Sequence, residues 1–183
     1  MILFKSKREK RLWLVTMLVV AAIFSTLLLG QPLQQLFSNQ NFQAALFWLG
    51  MFLTAFLIIY HGLKSKSGNY IIGVYIGLFA VYIMLFLRLG LAERSHLIEY
   101  SVLAIFMHQA LIERYKNDPK SFKPAFFAAA ISCTIGVLDE TIQLFIPDRV
   151  FDTNDILFNC LAVLGAIGSS MCLQWARNKI KKT

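Results

Sequence analysis

The sequence predicts an all-α protein: a polytopic transmembrane bundle of about six spans with both termini cytoplasmic. Composition is the first support. Of 183 residues, 57% are hydrophobic and 15% charged, with a mean hydropathy of +0.61, whereas globular chains carry about 25% charged residues. Segregation of the charges is the second. No Asp, Glu, Lys or Arg occurs between Arg11 and Lys64, between Lys66 and Arg88, or between Asp155 and Arg177. The third is an asymmetry of basic residues: with the N-terminus inside, 15 of the 18 Lys and Arg fall in cytoplasmic segments, leaving Arg88, Arg94 and Arg149 outside. Basic loops of this kind stay on the cytoplasmic side.

A bilayer core about 30 Å thick needs roughly 20 apolar residues in a helix, and the expected helices are 12–30, 42–63, 70–88, 95–113, 124–146 and 153–176. Gly30-Gln31-Pro32 ends the first, and the segment from Lys64 to Gly68 separates the second from the third. Asp118-Pro119 with Lys120 and Lys123 breaks the chain again, and Pro147-Asp148-Arg149 closes the fifth. Residues 1–69 thus hold two N-terminal helices behind a basic start, 70–170 a transmembrane core, and 171–183 the end of the last helix with a basic tail. There is no internal repeat. The basic start followed by an apolar run also has the shape of a secretory signal, but Leu28-Leu29-Gly30 is a poor cleavage site, which favours a retained helix.

This organisation implies a multi-pass protein of the bacterial cytoplasmic (inner) membrane, with the lipid bilayer as its partner. The spans leave no room for a separate soluble domain. The net charge of +8 is accounted for by loops facing the cytoplasm and is no sign of nucleic-acid binding. Cys133, Cys160 and Cys172 form no CxxC pair and read as small packing residues; Cys160, beside Asn159, keeps a thiol nucleophile open as a lesser alternative.

The polar residues hardest to excuse share one depth. A helix rises about 1.5 Å per residue, so Asp139 stands about 24 Å above cytoplasmic Lys123, His96 about 25 Å above Glu113, and Asn159 about 27 Å above Arg177. Three helices therefore bring His96, Glu99, Tyr100, Asp139, Glu140, Gln143, Asp155 and Asn159 to the extracytoplasmic quarter of the membrane, with Arg94 and Arg149 just above. On each helix the spacing of three or four residues puts these groups on one face. Lipid offers a carboxylate no partner, so such faces turn inward and mark functional sites by default.

Plainer readings compete. Asp152-Thr153-Asn154-Asp155 opens the last helix as a cap with an acidic third position would. Arg94 and Arg149 could sit among headgroups, and His96 could be an interfacial histidine. Adjacent Asp139 and Glu140 resist such accounts, because buried carboxylates are costly unless paired, protonated or metal-bound. His61 and His108 read as packing or interfacial residues, and Trp13, Trp48, Trp175 and Tyr60 as interface anchors.

The pattern His96-Leu-Ile-Glu99-Tyr100, then Asp139-Glu140-Thr-Ile-Gln143-Leu-Phe-Ile-Pro147-Asp-Arg149, then Asp155-Ile-Leu-Phe-Asn159 with Gly165 resembles the VanZ-like family of bacterial integral membrane proteins over about residues 70–170. Asp148 stands where the family usually has a glycine, and the basic residue upstream of the histidine is shifted to Arg94. The resemblance implies an association with resistance to the glycopeptide teicoplanin and supplies no agreed reaction.

Together these readings predict a cell-envelope protein whose outward-facing polar pocket binds or modifies a lipid-linked or cell-wall substrate. Arg149 and Arg94 would hold an anionic head, with Tyr100, Gln143, Asp155 and Asn159 lining the substrate, while His96, Glu99, Asp139 and Glu140 position it or handle protons. The first alternative is an acid/base or metal-dependent hydrolase or transferase. One histidine with oxygen ligands suits a divalent metal, although the spacing matches no strong metal motif. The second is a proton-coupled transporter, against which stands the absence of acids from the inner half of the spans. The sequence does not specify the oligomeric state.

Overall fold

The first helix begins earlier than its apolar stretch, because Ser6-Lys7-Arg8-Glu9 forms a cap. The Glu9 backbone N–H donates to Ser6 Oγ at 3.0 Å, and Glu9 Oε2 accepts from the Lys5 backbone N–H at 2.6 Å. This is a capping box with its return bond shifted by one residue. It starts α1 at Lys7 and carries it to Leu28. The chain is described here by a computed structural model, which covers residues 4–28, 39, 41, 42, 45, 49, 69–88, 91–116, 122–147 and 151–180.

Among the described residues four more helices follow: α2 (Asn69–Arg88), α3 (Leu91–Arg114), α4 (Lys123–Gln143) and α5 (Thr153–Ile180). Among the described residues all regular structure is helical. The expected helix 42–63 lies almost wholly outside the described residues.

Local chemistry explains where the boundaries differ from expectation. Helix α4 carries Pro124 in its first turn and stops at Gln143 rather than 146. The N–H groups of Phe145 and Ile146 turn back to the carbonyls of Ile142 and Gln143, because the residue before Pro147 is disfavoured in helical conformation. Helix α5 opens on Asp152, whose Oδ1 accepts the Asn154 N–H at 2.8 Å, so the capping role read for Asp152 is met.

The chain divides into two compact units. The first holds residues 1–27 and 88–170, that is α1, α3, α4 and α5 as far as Ser170. Its core joins Ile23 of α1, Tyr100, Leu103, Ala104, Met107 and Leu111 of α3, Ala128 of α4, and Ala162, Val163, Ala166 and Ile167 of α5. The second unit holds residues 28–87 and 171–183, and its described helices are α2 as far as Leu87 and the end of α5. On α2, Ile76, Val81 and Met84 are exposed.

Burial on α4 and α5 runs opposite to that of a water-soluble fold. The buried face of α4 is Pro124, Ala128, Ser132, Gly136, Asp139, Glu140 and Gln143, small or polar throughout. Its exposed positions include Phe126, Phe127, Ile131, Val137, Leu138 and Ile142. On α5, Asn159, Ala162 and Ala166 are buried while Leu157, Leu161 and Leu164 are exposed. Small residues let helix backbones approach, and large apolar groups facing outward are stable in hydrocarbon. Lys123–Gln143 and Thr153–Ala176 are each long and apolar enough to cross a membrane.

Candidate functional site

The site forms where the N-terminal end of α3, the C-terminal end of α4 and the N-terminal end of α5 come together. Gly136 makes this approach close. A Cβ on it would meet Asn159 Cβ at 3.0 Å and Tyr100 Cε1 at 3.3 Å, so a side chain of any size there would push α4 off both neighbours. Sequence reading passed over Gly136, although the spacing Ala128, Ser132, Gly136 gives a small-residue stripe on one face of the helix.

Directly above Gly136 stand the two carboxylates. Asp139 is 3% exposed and accepts a 3.0 Å hydrogen bond from the Tyr100 hydroxyl, itself wholly buried. Glu140 is wholly buried. Its Oε1 accepts from Gln143 Nε2 at 2.8 Å, one turn along α4, and the Asp152 backbone also faces the carboxylate, while Oε2 has no hydrogen-bond partner of good geometry among the described residues. His96, half-buried, stacks against Tyr100 with ring centroids 6.1 Å apart. Its Nε2 lies 3.8 Å from Asp155 Oδ2, and its Nδ1 is buried and without a hydrogen-bond partner among the described residues.

Capping alone therefore does not account for Asp155: Asp152 takes the cap, and Asp155 faces the imidazole. Asn159, one turn further along α5, is wholly buried with neither amide atom partnered among the described residues.

A ring nitrogen of His96 and one carboxylate oxygen each of Asp139 and Glu140 lie within 4.8 Å of one another. These are the residues here that could hold a metal ion. Glu99 is half-buried on α3 and stands outside this trio. Arg94 lies within α3, but its side chain, like all of Arg149, falls outside the described residues. The structure thus brings together His96, Tyr100, Asp139, Glu140, Gln143, Asp155 and Asn159. What the arrangement can do is move protons between an imidazole and buried carboxyls, hold a cation, or orient a polar group lowered between the three helices.

Other expectations fall elsewhere. His108 is buried on α3 with Nδ1 unpartnered among the described residues, which fits a packing role, while His61 lies outside them. Cys133 on α4 and Cys160 on α5 are neighbours, both half-buried.

Sequence reading also missed Glu9, which sits at the other end of α3. It is wholly buried, 3.3 Å from Arg114 Nη1, and accepts from the Trp13 indole N–H at 3.3 Å. Lys5 Nζ donates to the Arg114 carbonyl at 2.8 Å, and Ser6 Oγ to Glu113 at 3.1 Å. The Ser-x-x-Glu signature is legible in the sequence, but nothing local announces the arginine that meets it from α3. A shallow apolar groove lined by Phe4, Lys10, Trp13, Leu14 and Met17 runs along this start of α1. None of its lining residues belongs to the cluster around Asp139 and Glu140.

Residues 12–174 match the family model VanZ/LLP1, a stretch that takes in 70–170 and reaches back through the first helix. No curated protein and no solved structure matches. The match covers most of the chain, the polar pattern runs in order along α3, α4 and α5, and two of its helices are apolar enough to cross a bilayer. The chain is a membrane protein of the VanZ-like family.

Proposed function

We propose that this protein spans the bacterial cytoplasmic membrane about six times, with both termini in the cytoplasm. Its acidic end opens to the extracytoplasmic side and binds or modifies an anionic, lipid-linked cell-wall substrate. The observation that carries the reading is the convergence of Tyr100–Asp139, His96–Asp155 and Gln143–Glu140 from three helices onto one place. Burying ionisable groups at that density is costly, and a structural role would need only one satisfied pair. The basic segments support the orientation.

In this reading Arg149 and Arg94 hold the anionic head, and Tyr100, Gln143 and Asn159 fix its approach. His96, oriented by Asp155, takes or returns a proton, with Asp139, Glu140 and Glu99 setting the local charge. A phosphate contact from Arg149 is worth about 1.5–3 kcal/mol, so Arg149→Ala should weaken binding of a polyprenyl phosphate about tenfold or more. Titration of the purified protein in detergent, followed by tryptophan fluorescence, measures this; unchanged binding removes Arg149 from the site.

Handling such a substrate would alter what a glycopeptide finds at the cell surface. Expression of the wild-type protein should then raise the teicoplanin concentration needed to stop growth, and Asp139→Asn should not. Equal susceptibility in both strains would separate the protein from that phenotype. Hydrolase or transferase chemistry is the second reading, favoured by the imidazole held between Asp155 and the buried carboxylates. Incubation with radiolabelled lipid precursors tests it: products identical for wild type and His96→Gln would leave binding alone.

A further inference from the structure

We propose that His96, Asp139 and Glu140 form a binding site for one divalent transition-metal ion of the Mn2+ or Zn2+ kind, with Asp155 positioning the imidazole. The proposal rests on the reading of this end as a functional site and adds the class of cofactor it takes.

Three observations point to a cation. The donor atoms come from two helices and lie within 4.8 Å of one another. An ion with bonds of about 2.1 Å holds neighbouring donors about 3.0–3.4 Å apart, so closure requires the side chains to draw in by about 1–2 Å, within reach of rotamer adjustment. Second, Glu140 is wholly buried, and its Oε2 has no hydrogen-bond partner of good geometry among the described residues, nor does His96 Nδ1. A carboxylate oxygen left bare in so dry a place is expensive. Third, among the described residues no lysine or arginine pairs with Glu140, whereas adjacent Asp139 adds a second carboxylate to the same turn. Protonating one carboxyl would lower the charge and offer one O–H to the imidazole nitrogen, but it would leave the other carboxylate charged and without a cation. A divalent cation serves all three donors at once.

The ligand types narrow the metal. Imidazole disfavours Ca2+ and Mg2+, and two carboxylates without thiolate disfavour soft ions, which leaves the borderline divalent metals. Asp155 Oδ2, 3.8 Å from His96 Nε2, stands where a carboxylate orients a metal-binding imidazole in many sites.

The test uses the full chain in detergent, stripped by a mild chelator and titrated with Mn2+ in the absence of any lipid substrate. Electron paramagnetic resonance should count one bound Mn2+ per chain, displaceable by Zn2+. Pulsed spectra of the wild-type protein should show nitrogen coupling from a bound imidazole. Affinity should fall at least about tenfold in Glu140→Gln and His96→Gln, and about tenfold in Asp155→Asn with stoichiometry kept. Glu113→Gln, at the far end of α3, should leave it unchanged. Absence of stoichiometric binding, or of nitrogen coupling, in folded wild-type protein overturns the proposal even if a ligand variant fails to fold. Mn2+ that does not bind while a polyprenyl phosphate still does would remove the metal and leave the substrate reading. Mn2+ bound at these ligands with no lipid affinity would do the reverse.

Discussion

A wholly buried glutamate packs against each end of α3, Glu9 from α1 and Glu140 from α4, and the two are treated in opposite ways. Glu9 is surrounded by donors: the Arg114 guanidinium at 3.3 Å, the Trp13 indole at 3.3 Å and the Lys5 backbone N–H at 2.6 Å. Glu140 has only neutral donors, the Gln143 amide at 2.8 Å and the Asp152 backbone, and its Oε2 has no hydrogen-bond partner of good geometry among the described residues. A buried charge satisfied on every side ties segments together and is spent in doing so. One left partly unsatisfied lowers stability and stays available to a ligand. The pair teaches that burial of an acid does not mark a site by itself; its unused bonding capacity does.

The contrast can be broken experimentally, beginning with the scaffold. Gly136→Val should cost about 3 kcal/mol, at the upper end for overpacking, because the added groups meet Asn159 Cβ, an atom fixed to the α5 backbone. Thermal unfolding in detergent measures it. An unshifted midpoint would mean that the close approach of α4 to α5 does not hold the acidic end together.

At the clamp, Glu9→Ala should lower stability by about 2 kcal/mol, below the usual loss for a buried pair because Arg114 is 45% exposed and can turn to water. Limited proteolysis should then cut the chain before Trp13. Glu140→Gln should act with the opposite sign. The amide keeps an acceptor for Gln143 and removes the buried charge, so chelator-treated protein should gain about 1 kcal/mol while losing Mn2+ binding. A loss of stability at both glutamates would erase the distinction between the ends.

The smallest effect compares the two aspartates at the start of α5. Asp152→Ala should cost about 0.5–1 kcal/mol through the lost cap and leave Mn2+ affinity unchanged. Asp155→Asn should weaken the ion with little change in unfolding midpoint. Identical behaviour would return Asp155 to a capping role.

Much of this was legible in the one-dimensional pattern. Helical periodicity and the known rise per residue are enough to place His96, Asp139, Glu140 and Asn159 at one depth, since they depend only on local geometry. Charge-free runs fix which segments are apolar, and Pro147 and Asp152 announce the end of α4 and the start of α5. Which partner each side chain finds is set by distances between helices, and no local rule encodes those. That is why Asp155 has two readings in the sequence and a definite neighbour only in the fold, where His96 lies 3.8 Å away, and why nothing around Glu9 announces Arg114, 105 positions later. Gly136 shows the same limit from the other side: its importance lies in an absent side chain, and only the neighbouring helices reveal the space that absence leaves.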